Sequence, residues 1–247
     1  MRVPDLRRRS AEPELLDLEA TDPGTIAACL RDLERINRWT GAYRVSLRWL
    51  DRLHLEIAPK RPITVLDVGS GGGDMLRRIR AWARARRLEV QLIGVDRNPH
   101  ATAAAAAATP QDAGIRYFTA DVFDLPRDLP VDVVVSALFS HHLDDFHLVR
   151  FVRWMEDRAR LGWLINDLHR HPLPWLLAQH GARLLRMHGF VRHDAPLSVA
   201  RAFDRRDWLR LLAVAELAPP ATAVVWRFPF RFAVGRIKPC CRTRPAY

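Results

Sequence analysis

The chain has few cysteines, and its 247 residues include only Cys29, Cys240 and Cys241. Three cysteines at these spacings provide neither a disulfide framework nor the paired ligands of a zinc site. A reducing compartment is therefore expected. The sequence also lacks an apolar run of the roughly 20 residues that span a membrane, and no N-terminal stretch has the order of a signal peptide. These absences predict a cytoplasmic protein.

Lysine is almost absent as well. Lys60 and Lys238 are the only lysines among 39 basic residues, and the formal net charge is +11. A basic surface can attract nucleic acid or an anionic membrane. The arginines are spread along the chain, however, and arginine with abundant alanine also fits the coding bias of a GC-rich genome. We therefore expect no nucleic-acid partner and leave open a peripheral membrane contact.

The strongest motif is an apolar run that ends in an acid and leads through a glycine-rich turn into a helix. Asp67, Gly69, Gly71 and Gly73 have the spacing Asp-x-Gly-x-Gly-x-Gly. A dinucleotide site requires a third glycine where Asp74 stands, and a P-loop requires Gly-Lys-Ser/Thr. The motif resembles motif I of the class I S-adenosylmethionine-dependent methyltransferases. The resemblance implies that the turn packs under the amino-acid and ribose parts of this cofactor.

Two further acids follow predicted strands where this family carries them. Asp96 ends a strand that begins at Val90, and the resemblance implies that its carboxylate accepts hydrogen bonds from the ribose hydroxyls. Asp121 follows the third strand, where the family acid bonds the adenine 6-amino group and the next backbone N–H reaches the ring. The residues that we assign to the cofactor are Asp67, Gly69, Ser70, Gly71, Gly73, Asp96, Arg97, Asp121, Val122 and Ser136.

Two adjacent histidines, His141 and His142, follow the predicted fourth strand at Val131 to Val135. In many methyltransferases the residues beside the transferred methyl group lie just past this strand. Imidazole titrates near the operating pH and suits a general base. The resemblance thus implies that one histidine takes the proton of a phenol or another hydroxyl, and we favour His142 slightly. A helix cap or a packed histidine is the alternative.

A polar cluster from Asn166 to His171 follows the predicted fifth strand at Leu161 to Ile165. The carboxyl ends of parallel strands face the ligand cleft, so this cluster is expected beside the acceptor. Four polar or aromatic residues at the end of the first predicted helix, Arg35, Asn37, Arg38 and Trp39, could cover the same site. The residues that we assign to the acceptor are Arg38, Trp39, Asn166, His169 and Arg170. Loop structure and packing are the alternatives.

The same histidines raise the question of a metal. Asp167, His169 and His171, or some of these with the histidine pair, offer metal ligands. The sequence departs from the metal-dependent O-methyltransferases, because Ser136 stands in the first ligand region and Asn166-Asp167 has the reverse order. No functional metal is therefore predicted.

The order of elements from 63 to 236 matches the class I plan. We predict an α/β, Rossmann-like fold with a seven-stranded, mostly parallel sheet, a C-terminal antiparallel hairpin and an N-terminal helical cap. A helix from Leu173 to Phe190 is expected to form an apolar lid with the N-terminal helices, and a polar loop at 192–198 could add Arg192 or His193 to the site. The predicted regions are an N-terminal arm and cap at 1–58, the cofactor-binding domain at 59–238 with the lid at about 172–200, and a tail at 239–247.

The resemblance implies an enzyme that uses S-adenosylmethionine and releases S-adenosylhomocysteine. No Asn/Asp-Pro-Pro-Tyr motif follows the fourth strand, where Ser136 to Phe139 stand, which argues against amino-group methylation of adenine, glutamine or cytosine. We expect O-methylation of a small, aromatic or polyketide-like acceptor, as in bacterial small-molecule methyltransferases related to the ubiquinone-type enzymes. An RNA methyltransferase and a non-catalytic cofactor-binding partner protein are the rivals. The oligomeric state is left open.

Overall fold

The computed structural model of the chain describes residues 4–17, 22–58 and 61–239. Apart from Pro239, the predicted tail lies outside the described residues, and so do Cys240 and Cys241. Within the described ranges, no helix is both long and apolar enough to cross a membrane.

The described chain contains eight α-helices and seven strands. The helices are α1 Pro23–Trp39, α2 Ala42–Ile57, α3 Asp74–Ala85, α4 Pro99–Ala108, α5 Asp145–Arg158, α6 Pro172–Leu184, α7 Gly189–Arg201 and α8 Arg205–Val214. The strands are β1 Ile63–Val68, β2 Val90–Asp96, β3 Ile115–Thr119, β4 Val133–Ala137, β5 Gly162–Leu168, β6 Ala223–Arg227 and β7 Arg231–Ile237.

The seven strands form one sheet in the order β3-β2-β1-β4-β5-β7-β6. Strands β1 to β5 run parallel, whereas β7 pairs antiparallel with both β5 and β6. The predicted mostly parallel sheet with a C-terminal hairpin is therefore confirmed. The strand order reverses between β1 and β4, and open α/β sheets bind ligands outside the carboxyl ends of the strands at such a point.

The central strands are mostly apolar, as expected where helices cover both faces of a sheet. All six residues of β1 are buried. Val65 packs with α2 and α3 on one face, and Leu66 packs with α5 and α8 on the other. The two cores hold the strand ends that carry the site in a rigid frame.

Two strands continue past their predicted ends, β4 to Ala137 and β5 to Leu168. Ser136 stays in the sheet because β4 still pairs with β5 at this position. Asn166 and Asp167 stay in the sheet because β7 runs antiparallel along the whole of β5. The polar residues indicated a loop, whereas a partner strand from the far end of the chain extends the ladder.

The predicted lid consists of two helices, α6 and α7, packed on each other. The prediction of a polar loop at 192–198 is wrong, because these residues lie within α7. Their polarity serves a tertiary contact: the Asp194 carboxylate accepts the backbone N–H groups of Leu15 and Leu16 at 2.9 and 3.1 Å. Polar side chains that face another chain segment have the same sequence pattern as a solvated loop.

Residues 4–17, here called the arm, lie across α7 and the end of β4. The Arg9 guanidinium donates to the Leu143 carbonyl at 2.8 Å and lies 3.6 Å from the centroid of the Phe203 ring. The backbone N–H of Ser10 donates to the carbonyl of Ala200 at 3.0 Å. The arm is therefore part of the folded body over its described length.

Candidate functional site

The glycine turn joins β1 to α3 at the point where the strand order reverses. Gly69 and Gly73 have φ values of +68° and +72°, which residues with a Cβ rarely adopt. A Cβ on Gly69 would lie 2.6 Å from the Phe139 ring, and one on Gly73 would overlap the Tyr117 hydroxyl. The turn therefore requires glycine at both positions.

A partly enclosed cavity of about 30 Å³ lies beside this turn. Its polar lining comes from Asn37, Tyr43, Asp67, Ser70, Asp74 and Asn166. The volume suits about one water molecule, whereas cofactor sites usually measure several hundred Å³. The cavity can therefore hold only a small part of a cofactor.

Three buried polar atoms of the cavity lining have no hydrogen-bond partner among the described residues. They are Asp67 Oδ1, Ser70 Oγ and Asn166 Oδ1. Buried polar atoms are normally partnered, so these three atoms are suited to a polar ligand. Burial raises the pKa of Asp67 well above its ordinary value, and the nearby Asp74 and Asp96 add to the shift. A cationic ligand would relieve this repulsion, and S-adenosylmethionine carries an ammonium and a sulfonium group.

The helical cap closes the cavity from above the sheet. Tyr43 of α2 donates its hydroxyl to the Asp74 carboxylate at 2.5 Å, and Asn37 of α1 donates its amide to the same carboxylate at 3.2 Å. Asp74, the residue that excluded a dinucleotide motif, thus binds the cap to the turn.

Asp96 lies at the end of β2, and both of its oxygens accept backbone N–H groups. Oδ2 accepts from Gly71 and Oδ1 from Asn98, each at 2.9 Å. Burial raises the pKa of this carboxylate, and the backbone N–H groups oppose the shift. Each oxygen has two lone pairs, so the carboxylate can still accept from a ligand hydroxyl. The geometry fits the predicted ribose role.

The next predicted cofactor residues follow β3. The Asp121 carboxylate accepts the Phe123 N–H at 3.0 Å and lies 3.6 Å from the Arg97 guanidinium. Val122 is buried beneath it in a short 3₁₀ turn. Ser136 differs from these residues, because its hydroxyl donates to the Val68 carbonyl at 3.0 Å within the sheet. Ser136 therefore joins β4 to β1 and does not present its hydroxyl to the cleft.

His141 is buried beside Asp167 of β5. Its Nδ1 lies 2.8 Å from Asp167 Oδ1, and its backbone N–H donates to Oδ2 at 2.9 Å. Burial raises the pKa of Asp167, but the His141 imidazole and the Ser140 hydroxyl outweigh it and lower the pKa to about 2. An ionised carboxylate only accepts hydrogen bonds, so Nδ1 carries a proton, and Nε2 is the nitrogen that can accept one.

His142 has a matching arrangement on the arm side. Its Nδ1 lies 2.9 Å from Asp17 Oδ2, and its ring centroid lies 4.4 Å from that of His141. The ring also stacks on Phe139, the residue that covers Gly69. The histidine pair is thereby linked to the cofactor turn.

Glu14 of the arm lies between the two Nε2 atoms, 3.7 Å from His141 and 3.9 Å from His142. Its carboxylate is buried, accepts the Ser198 hydroxyl at 2.9 Å and lies 3.9 Å from Arg201. Burial raises the pKa of Glu14 to about 7, although the nearby His142 opposes the shift.

The predicted acceptor residues on β5 and after it do not share one site. Asn166 donates to the Ala42 carbonyl at 2.9 Å and lines the cofactor cavity. His169 lies edge-on to Phe232, and burial lowers its pKa. The Arg170 guanidinium is buried and donates to Asp204 and Asp207 at the start of α8. Arg170 therefore connects structural elements, which accounts for its charge without a ligand.

The other two predicted acceptor residues end α1. Arg38 and Trp39 are exposed, and the Arg35 guanidinium lies 5.2 Å from the Trp39 ring. Asn37, one residue earlier, faces the cavity instead. The helical period of 3.6 residues explains why neighbours on one helix face different surroundings.

Sequence reasoning missed the arm's contribution to the site. Glu14 and Asp17 lie in a segment with no motif and no periodicity, and they contact histidines more than 120 residues away. Asp167 was considered as a metal ligand and as part of the polar cluster after the fifth strand, but not as the partner of His141. Arg201 carried no signal at all.

Comparison with known proteins agrees with this geometry. Residues 65–162 match the family model described as a methyltransferase domain. No curated protein matches the sequence. The structure is similar to that of the plantazolicin methyltransferase BpumL in complex with SAH, with 13% identity, a TM-score of 0.62 and coverage of 87% of this chain and 95% of that one.

Two further solved structures share the fold. A SAM-dependent methyltransferase from Aquifex aeolicus is 17% identical, with a TM-score of 0.58 and coverage of 87% of this chain and 97% of that one. The magnesium protoporphyrin IX methyltransferase from Synechocystis, with bound SAH, is 13% identical, with a TM-score of 0.51 and coverage of 80% and 84%. At these identities the likeness shows a common fold.

The family match, the strand order and the glycine turn together define the class of the protein. Residues 65–162 are a methyltransferase domain, and the described chain has the fold of S-adenosylmethionine-dependent methyltransferases of known structure. The predicted class and its cofactor are confirmed.

Proposed function

We propose that the enzyme transfers a methyl group from S-adenosylmethionine to a hydroxyl of a small, aromatic or polyketide-like acceptor, and that His141 is the general base. The observation that supports this most strongly is the buried Asp167–His141 pair, with Nδ1 bonded to Asp167 at 2.8 Å and Nε2 on the other side of the ring, 3.7 Å from Glu14. Such a pair holds one tautomer and stabilises the imidazolium that forms.

The cofactor residues have the roles that their positions support. Asp67, Ser70 and the glycine turn hold the charged end of the cofactor, and Asp96 accepts its ribose hydroxyls. Asp121 and the backbone of Val122 lie where the adenine would be recognised, with Arg97 beside them. When bound, the cofactor supplies an activated methyl group, so the protein mainly aligns the acceptor and removes its proton.

The structure favours His141 over His142 as the base, although the sequence had slightly favoured His142. Asp167 is fully buried and holds His141 from within the sheet, whereas Asp17 belongs to the arm and is partly exposed. A base held by a rigid strand is better positioned than one held by a loop. His142, stacked on Phe139, is proposed to orient the acceptor.

The acceptor class rests on the surroundings of the histidines. No Asn/Asp-Pro-Pro-Tyr motif follows β4, and the residues there are Phe139, Ser140 and the histidine pair. The plantazolicin methyltransferase has been solved with azole-containing desmethylPZN analogs, and such a ligand shows that this fold can hold an extended heteroaromatic acceptor. Aromatic hydroxyls are therefore the first acceptors to test.

The test is methyl transfer from labelled S-adenosylmethionine to a matched panel of phenols, anilines and a structured RNA. We expect label in the phenols, and a single-turnover rate that falls by at least 100-fold in His141→Ala. His147→Ala is the matched control, since His147 also bonds an aspartate through Nδ1 but lies exposed on α5. Labelling of RNA or anilines alone, or an unchanged rate in His141→Ala, would refute the proposal.

A further inference from the structure

The arm and the histidine pair place three metal-binding side chains around one point. Nε2 of His141 and Nε2 of His142 face opposite oxygens of the Glu14 carboxylate, at 3.7 and 3.9 Å. One ligand atom of each residue lies within 4.8 Å of the other two. These separations are too long for hydrogen bonds, so two lone pairs face a carboxylate across a short gap.

Each histidine is held for this arrangement by a second carboxylate. Asp167 accepts from Nδ1 of His141 at 2.8 Å, and Asp17 lies 2.9 Å from Nδ1 of His142. Histidine ligands of metals typically donate their other N–H to a carboxylate, which sets the tautomer and the ring orientation. Two such contacts, supplied independently by β5 and the arm, aim both free lone pairs at one place.

We propose that Glu14, His141 and His142 bind a divalent transition-metal ion such as Zn²⁺. Two imidazole nitrogens and one carboxylate oxygen are the donor set of open, three-ligand sites for this ion. Mg²⁺ and Ca²⁺ prefer oxygen ligands, so two nitrogen donors favour a transition metal. The sequence had led us to expect no metal, because Ser136 and the order of Asn166 and Asp167 depart from the metal-dependent O-methyltransferases. Glu14, which lies 127 positions from the first histidine, was not considered.

The ligand atoms must approach one another when an ion binds. Bonds of about 2.0–2.1 Å around a tetrahedral ion place neighbouring ligand atoms roughly 3.3 Å apart. The two Nε2 atoms lie 3.7 and 3.9 Å from different oxygens of Glu14, and one ligand atom of each residue lies within 4.8 Å of the other two. An ion would therefore draw the three groups together by up to roughly 1.5 Å.

The surroundings hold the ligands and allow entry. Glu14 and His141 are only 4% and 3% exposed, while the His142 side chain is 26% exposed and opens the site to solvent. Asp194 holds the arm through the backbone of Leu15 and Leu16. The bound ion would therefore join the arm to the end of β4 at a site that solvent can reach.

The metal site does not depend on the proposed base. While an ion is coordinated to His141 Nε2, this atom cannot accept a proton, so the ion and the acceptor proton exclude one another. The two proposals therefore fail separately: spectroscopic titration with the ion tests the site, and methyl transfer by the metal-free protein tests the base.

The experiment uses tag-free protein treated with EDTA, in a Cys240→Ser/Cys241→Ser background to remove the adjacent thiols. Co²⁺ is titrated with visible absorption as the readout, and Zn²⁺ is then added as a competitor. We expect one equivalent of Co²⁺, d–d bands of a four- or five-coordinate ion, and displacement by Zn²⁺.

The variants identify the ligands. Glu14→Gln and His142→Ala should each weaken Co²⁺ binding by at least 10-fold, and Asp167→Asn should weaken it by 10- to 100-fold through its contact with His141. His147→Ala should leave binding unchanged. Thermal melts confirm that each variant is folded, and Glu14→Gln removes a charge without changing shape. Absence of Co²⁺ binding, or binding that survives both Glu14→Gln and His142→Ala, would overturn the proposal.

Discussion

The cofactor side and the histidine side of the cleft are built in different ways. On the cofactor side, Asp67 lies near the end of β1, Asp96 ends β2 and Asp121 follows β3, so every determinant lies within a few residues of a strand end. On the histidine side, Glu14 and Asp17 come from the arm, the histidines follow β4, and Asp167 belongs to β5. One half of the cleft is local in sequence, and the other is assembled from distant segments.

The two halves also differ in how their polar groups are satisfied. The cofactor side has three buried polar atoms without partners among the described residues, namely Asp67 Oδ1, Ser70 Oγ and Asn166 Oδ1. On the histidine side, Nδ1 of each ring is bonded to a carboxylate. The first half is completed by a ligand from outside, whereas the second half is partly completed by the chain itself. Substitutions on the cofactor side should therefore weaken cofactor binding, and substitutions on the histidine side should slow methyl transfer.

The largest effect is expected from Asp167→Asn. An asparagine amide can donate to His141 Nδ1, which would move the ring proton to Nε2 and remove the base. We expect the single-turnover methyl-transfer rate to fall by about 1,000-fold, with S-adenosylhomocysteine affinity unchanged. Rapid-quench kinetics and calorimetry measure the two quantities. If the methyl-transfer rate falls only as far as the S-adenosylhomocysteine affinity falls, the cofactor side and the histidine side do not have separate roles.

The second largest effect is expected from Arg170→Met, because the buried Arg170 guanidinium connects structural elements. Arg170→Met removes the partner of Asp204 and Asp207, whose contacts with the guanidinium are 2.9 and 2.7 Å long. Removing one side of a buried ion pair costs about 3–5 kcal/mol. We expect the free energy of unfolding in urea to fall by about this amount. The exposed Arg38→Met is the control, and equal losses in both variants would show that Arg170 has no special structural role.

Asp96→Ala should act on the cofactor side alone. The variant loses the carboxylate that is suited to the ribose hydroxyls, and it also frees the Gly71 N–H that Asp96 holds at 2.9 Å. Charge-assisted hydrogen bonds contribute about 1.5–3 kcal/mol each, so S-adenosylhomocysteine affinity should fall by about 100-fold in calorimetry. Co²⁺ binding at the histidines should be unchanged. Wild-type affinity in Asp96→Ala would remove Asp96 from the cofactor site.

Gly69→Ala is expected to have the smallest effect of the four. The new methyl group would strain a backbone with φ of +68° and would meet the Phe139 ring. We expect an affinity loss of about 10-fold, at a typical strain cost of 1–2 kcal/mol. Phe139→Ala in the same protein separates the two causes. If the double variant regains wild-type affinity, the ring is the obstacle; if it does not, backbone strain is the cause.

The fold could be predicted because its signals are local. The strands of the sheet appeared as short apolar runs, and the turn residues Gly69 and Gly73 showed where the chain must adopt positive φ. The ends of β4 and β5 were placed too early, since their last residues are polar and only the partner strands keep them in the sheet. The prediction of a polar loop at 192–198 was wrong for a similar reason: Asp194 was expected to face solvent, but its carboxylate binds the backbone of the arm.

The sequence by itself determined the class of the protein. The spacing from Asp67 to Gly73 and the acids after β2 and β3 act through backbone geometry over a few residues, so their chemistry is visible in the order of letters. The pairing of His141 with Asp167 and the arrival of Glu14 were decided only by the tertiary structure. Glu14 lies more than 120 positions from His141 in the sequence, and Asp167 lies 26 positions from it. The fold brings these groups together because buried charged and polar groups require partners.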